Sequence, residues 1–209
     1  RGEVYGWRMT IQGSAERLQW EAEQRAVEAV EVKVEAPKLE GIHVVLDAGH
    51  GGRDTGAIAG GLWESTYVYD IYIRIHNLLK EKTRATVHPL VQDNKSKFVV
   101  APSDRLPQHR YHSILTSPVQ PLGDPQRGVN LRWKMCNQAM AELRKKWVPP
   151  ENVIFLSIHA DALHPSVRGA TIYIPGASYA KAPSRAEGLR AEALSKALAG
   201  EIIDSLYRS

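Results

Sequence analysis

Ile42-His43-Val44-Val45-Leu46 is a short, nearly continuous apolar run that ends in Asp47 and passes directly into Ala48-Gly49-His50-Gly51-Gly52. Such a run is expected of a strand covered on both faces, the situation of strands in a parallel sheet. A glycine-rich loop from Gly49 to Gly61 follows, and residues 67–82 then place Val68, Ile71, Ile75 and Leu78/Leu79 on one helical face. Thr86 to Val91 reads as a second strand, which makes the stretch the start of a βαβ arrangement.

Further along, residues 92–126 hold five prolines and many polar residues. That is too long for an ordinary connection and predicts a functional loop or an insertion. A helix over about 129–147 would line up Val129, Trp133, Cys136, Met140, Leu143 and Trp147, and Pro149-Pro150 stops it. Val153 to Ile158 and Ala170 to Ile174 read as strands, and 186–207 as a last helix through Leu189, Ala193, Leu198, Ile202 and Leu206. The expected fold class is α/β, a mostly parallel twisted sheet flanked by helices. Residues 1–40 stand apart as a short N-terminal accessory segment, or the end of a preceding domain. Within it Tyr5, Trp7, Met9 and Ile11 alternate as in a half-buried strand, and Val30, Val32 and Val34 alternate again.

Composition narrows the function classes. Of 209 residues, 43% are hydrophobic and 24% charged, which excludes a mainly disordered chain. No apolar run approaches the ~20 residues that span a bilayer, so no transmembrane segment is expected. The net charge of +4 could favour an anionic polymer, but the basic residues are scattered, and no nucleic-acid partner is predicted. The chain begins Arg1-Gly2-Glu3, without Met or a signal-peptide pattern, and so reads as a processed or trimmed product. Cys136 is the single cysteine, and its place on an apolar helix face suits packing better than a nucleophile.

Three places could carry chemistry. His50 lies just past the carboxyl end of the first strand, the edge where open α/β sheets bind ligands. Glu64, in Gly61-Leu62-Trp63-Glu64, closes the same loop before the helix, and His159 follows the strand Val153–Ile158. Two histidines and a carboxylate, each delivered by a strand end or an adjoining loop, make a plausible catalytic zinc site, with three protein ligands and an open fourth position. Taken singly, each has an ordinary explanation: a strand-end histidine is usually a hydrogen-bonded residue, and Glu64 suits the first turn of a helix through the macrodipole. The spacings of 14 and 95 residues form no short zinc motif. His109 and His112 in the insertion read as an exposed loop pair rather than a second metal site.

Val44-Val45-Leu46-Asp47-Ala48-Gly49-His50-Gly51-Gly52-Arg53-Asp54-Thr55-Gly56-Ala57 resembles the opening signature of the zinc-dependent N-acetylmuramoyl-L-alanine amidases, the Amidase_3 family. Phe155-Leu156-Ser157-Ile158-His159-Ala160-Asp161-Ala162 is similar to that family's third-ligand strand, and Gly61-Leu62-Trp63-Glu64 to its second-ligand position. Gly169-Ala170-Thr171-Ile172-Tyr173 resembles the strand that follows. Leu131 through Asn137 is similar to the family's L-x-x-R-x-x-x-A-N helix, with Lys134 near the expected arginine and Cys136 in place of alanine.

The resemblance covers residues 41–209 as an amidase-like catalytic domain. It implies a Zn2+ held by His50, Glu64 and His159, peptidoglycan as partner, and hydrolysis of the amide between N-acetylmuramic acid and L-alanine. It also implies periplasmic or extracellular action, and leaves room for an activator protein. The family draws its general acid/base glutamate from a last strand, in a V-E-x-G-F-like segment after the long helix. No such segment precedes Ser209, so the resemblance assigns no catalytic glutamate here. It implies a domain lacking that strand, within a parent chain that continues or in a catalytically impaired fragment. Two alternatives stay open: a peptidoglycan-binding module without turnover, and another zinc peptidase on a related α/β fold.

Overall fold

Strand-forming and helix-forming stretches alternate through the centre of the chain, and the parallel sheet they build positions everything that follows. The computed structural model describes residues 39–101, 106, 108, 110–160, 169–178 and 182–208, and residues 6–10 by their backbone. The strands are β1 (Gly6–Thr10), β2 (His43–Ala48), β3 (Ile58–Ala59), β4 (Leu62–Trp63), β5 (Thr86–Pro89), β6 (Val91–Asp93), β7 (His112–Ile114), β8 (Gln120–Pro121), β9 (Val153–Ile158) and β10 (Thr171–Pro175). The helices are α1 (Glu64–Lys82), α2 (Pro125–Lys145) and α3 (Arg185–Arg208), with a short 3-10 turn at Pro150–Asn152. Among the described residues no helix is long and apolar enough to cross a membrane.

The chain divides into two compact units, Val34–Ala162 and Arg1–Lys33 with Leu163–Ser209. In the first, β2 lies between β5 and β9, parallel to both. Val44, Val45 and Leu46 are almost wholly buried, as the apolar run predicts; a side chain of this kind contributes about 1.5–3 kcal/mol when fully buried. Pro89 falls on the edge strand β5, where a residue without an N–H is tolerated. In the second unit β10 pairs antiparallel with β1, from Gly6↔Pro175 to Thr10↔Thr171. The expected strand at the N-terminus is therefore present over Gly6–Thr10, while the Val30–Val34 alternation, like His109, lies outside the described residues.

Both helices of the first unit form, but each is turned by about one position from its expected face. On α1 the buried set is Val68, Tyr69, Tyr72, Ile73 and His76, and Leu78 is exposed. Tyrosines replace aliphatics because each hydroxyl finds a partner. Tyr72 donates to the Val91 carbonyl at 2.7 Å, and Tyr69 accepts from the Asp93 amide at 2.8 Å. On α2, Leu131, Met135, Cys136 and Ala139 pack on the core and Leu143 is buried, whereas Trp133 is 71% exposed and Trp147, past the helix end at Lys145, is 91% exposed. Asp124 caps α2 by accepting from the Arg127 amide at 2.7 Å, with Pro125 in the first turn, so the helix starts earlier than its apolar residues suggest.

The long connection after β5 is structured in part. Strands β6, β7 and β8 form a small antiparallel sheet, and Val91, Ile114 and Leu122 join the core around Tyr69 and Tyr72. The expected strand over Thr86–Val91 is accordingly two strands: β5 follows β2 in parallel, and β6 turns away to meet β7. His112 is buried on β7 rather than exposed; it accepts a hydrogen bond from the Gly52 amide at 3.2 Å and meets Tyr69 edge-on.

Candidate metal centre

The register of β2 against β9 brings the two site histidines together. Ala48 is opposite Ile158, and the ladder extends one step as the Gly49 amide donates to the Ile158 carbonyl at 2.8 Å. His50 and His159 therefore leave the sheet side by side, their rings edge-to-face at 4.9 Å between centroids. Gly49 makes this packing possible, because a Cβ there would lie 2.4 Å from the His159 ring. His50 itself has a φ of 61°, an unusual conformation for a residue with a side chain and of a kind that clusters at functional sites.

Glu64 reaches the same point from the start of α1. The first-turn amides of that helix are taken by the loop: the Glu64 N–H donates to the Ala57 carbonyl and the Ser65 N–H to Thr55. The Glu64 side chain is thereby released from capping its own helix. It is 4% exposed, and its Oε1 lies 3.2 Å from His50 Nε2 and 3.3 Å from His159 Nδ1. The Ala57 amide holds Oε2 and the Ala160 amide holds Oε1, each at 2.9 Å. Gly56 lets the loop close over the carboxylate, since a Cβ there would stand 2.6 Å from Glu64 Oε2.

Burial pushes the Glu64 carboxyl upward, but the Ala160 and Ala57 amides, with His50 and His159 beside it, outweigh that and hold it below the usual glutamate value. The group is a carboxylate at neutral pH. Three nitrogens crowd Oε1, more than its two lone pairs can serve by hydrogen bonding alone. A shared cation resolves the crowding: ligand atoms ~2.0–2.1 Å from a tetrahedral zinc are separated by about 3.3–3.4 Å. Among the described residues this is the group of His, Cys, Asp and Glu side chains that could hold a metal ion, its ligand atoms all within 4.8 Å of one another.

A second tier fixes the loop. Asp54 Oδ2 lies 3.1 Å from His50 Nδ1, although that buried nitrogen makes no hydrogen bond of good alignment. Arg132, on α2, donates to Asp47 Oδ1 and to the Ala48 carbonyl, each at 3.0 Å, and also to the His50 carbonyl. Ser157 donates to the other oxygen of Asp47 at 2.8 Å. Burial raises the Asp47 carboxyl, and Arg132 and Ser157 pull it back. One guanidinium thus ties the end of β2 to the residue that bears the imidazole.

Arg132 is the residue that sequence reasoning missed. With Cys136 and Asn137 on its A-N, the motif L-x-x-R-x-x-x-A-N puts its arginine on Arg132 rather than near Lys134; Lys134 is exposed, and Arg132 makes the contacts. Besides that spacing, a second signal was Asp47 itself, because a carboxylate at the end of a buried strand needs a charged partner. Burial also pushes the Cys136 thiol up, with Asp47 adding to the effect, so this cysteine is a packing residue rather than a nucleophile.

Parallel strands with two histidines at their carboxyl ends, beside a buried carboxylate from the start of a helix, define a class: an α/β domain with a site that could hold a metal ion and is open on one side. The family model described as N-acetylmuramoyl-L-alanine amidase, Amidase_3, matches residues 44–208, and the chain belongs to that family. Its members are zinc-dependent hydrolases that act on peptidoglycan, outside the cytoplasm. No curated protein and no solved structure matches the chain.

Proposed function

We propose that His50, Glu64 and His159 hold one zinc ion, and that this centre hydrolyses the amide between the lactyl group of N-acetylmuramic acid and the L-alanine of the stem peptide. The observation that carries the proposal is the single oxygen of Glu64 facing both imidazoles at 3.2 and 3.3 Å. Zinc held by these residues would supply a Lewis acid for the scissile carbonyl and lower the pKa of a water to about 7.

The chain's own residues prepare that chemistry. Two backbone amides fix both oxygens of Glu64 and keep it ionised. Asp54 Oδ2 stands 3.1 Å from His50 Nδ1, close enough to act as an outer carboxylate of the kind that orients a ligand and raises its basicity. Arg132 holds the backbone of Ala48 and His50, so the imidazole is set by the sheet rather than by a free loop. His159 is 46% exposed and His50 24%, which leaves one face open to a polymer that cannot enter a closed cavity.

The same reading assigns residues 41–209 to the amidase domain and 1–40 to an accessory segment. Its site of action is the periplasm or the cell exterior, where peptidoglycan is found. Incubation with purified sacculi tests it. Free stem peptides beginning with L-alanine should appear, vanish with a chelator and return with zinc. Cleavage inside the peptides would identify a peptidase instead, and retention on sacculi without release would identify a binding module.

A further inference from the structure

From the segment between β6 and β7, Gln108 and Arg110 reach the loop that leads into Glu64. Gln108 Nε2 donates to the Gly61 carbonyl at 3.0 Å, and the Arg110 guanidinium carbon stands 5.1 Å from the centroid of the Trp63 ring. Trp63 is the N-cap of α1 and immediately precedes Glu64. A cation is therefore stacked on the neighbour of a candidate metal ligand. Stacking on an indole restrains a guanidinium while leaving its edge N–H groups outward, a geometry suited to a carboxylate.

Arg110 is exposed, and among the described residues no carboxylate pairs with it. The acidic side chains of the site loop, Asp54 and Glu64, both face His50. Arg53, three residues after His50, is likewise exposed and without a carboxylate partner among the described residues. A rim with unpaired guanidinium groups beside a hydrolytic centre calls for an anionic substrate group.

We propose that Arg110 is a specificity-determining residue that receives a substrate carboxylate, the one on the acidic residue following L-alanine in the stem peptide. The proposal rests on the amidase reading given above. The scissile amide lies on the amino side of L-alanine, so the next residue's carboxyl is within about two residue lengths, ~7 Å, of the bond that breaks. Stacked beside the ligand-bearing loop, Arg110 is placed to hold that group while the amide lies at the centre.

Two soluble probes differing in one group test this: N-acetylmuramoyl-L-alanyl-D-glutamate with its γ-carboxyl blocked as the methylamide, and the same compound with its α-carboxyl also amidated. Binding to the zinc-loaded protein is measured by calorimetry, and cleavage by release of the peptide. The wild type should favour the acid by about five- to tenfold, the size of one charge-assisted hydrogen bond at a solvated rim. Arg110→Gln should bring the acid-to-amide ratio to about one, and Arg110→Lys should restore part of it, keeping the charge without the planar fork. A loss of fold would weaken both probes together without equalising them. A wild type indifferent to the amide, or a preference surviving in Arg110→Gln, overturns the proposal. Preferential binding of the acid without cleavage of either probe would leave Arg110 in place and sink the amidase reading instead.

Discussion

Two histidine pairs mark the two ends of strand β2, one shared with β9 and the other with β5. At the carboxyl ends, His50 and His159 both face Glu64 Oε1, which is buried and held by two backbone amides. At the amino end of β2, His43 Nδ1 faces His88 Nε2 of β5, 3.0 Å apart with stacked rings and no carboxylate against them among the described residues, and Lys146 adds a positive charge near His88. Both pairs bring imidazoles within reach of one another. What separates them is the carboxylate: one pair encloses a negative group it can share with a cation, and the other satisfies itself with a single hydrogen bond.

Glu64→Gln is the sharpest way to break the contrast, because it makes the carboxyl end resemble the amino end. Peptide release from sacculi should fall by well over the ~10–100-fold typical of losing an outer partner of a metal ligand. Full activity in this variant would mean that the carboxylate is not a ligand. Next in size is Arg132→Met, which leaves Asp47 buried without its cation. Urea unfolding should show a loss of about 3–5 kcal/mol, the usual cost of breaking a buried pair from one side. A loss below about 1 kcal/mol, in the range of surface pairs, would mean that solvent reaches Asp47.

Asp54→Asn should act on the metal rather than on the fold. Zinc affinity measured by competition with a chelator is expected to drop ~10–100-fold, with the urea midpoint nearly unchanged. The smallest effect belongs to the amino end. Burial lowers the pKa of His88 from 6.5, and His43 and Lys146 lower it further. The unfolded chain then binds the proton more readily, so this stability is present above about pH 6.5 and is lost as the pH falls through the folded value. The urea midpoint of the metal-free protein should decline from about pH 7 to about pH 5, and His88→Gln should flatten that slope. An identical slope in the variant would remove His88 as its cause.

The three candidate ligands could be picked out because each sits where a strong local pattern ends: His50 and His159 beyond apolar strands, and Glu64 between a glycine-rich loop and a helix. The central βαβ arrangement was legible for the same reason. The helix faces were less so, because a reading weighted toward aliphatic residues passes over Tyr69 and Tyr72, whose hydroxyls make them core residues through hydrogen bonds to distant backbone. Arg132 was hidden more deeply. Its partner Asp47 is 85 residues away, and only the packing of α2 beside β2 makes that a contact. The antiparallel strands β6–β8 escaped because each spans two or three residues, too few for alternation to register.

The central claim is that the shared carboxylate, not the closeness of imidazoles, makes the metal centre, and zinc stoichiometry tests it most directly. After dialysis against zinc and removal of excess, elemental analysis should find about one zinc per wild-type chain, as a three-ligand site requires. His50→Ala, Glu64→Gln and His159→Ala should each lose it, while His43→Ala and His88→Ala keep it. Zinc retained in full by Glu64→Gln, or lost on removal of His43 or His88, would contradict the account.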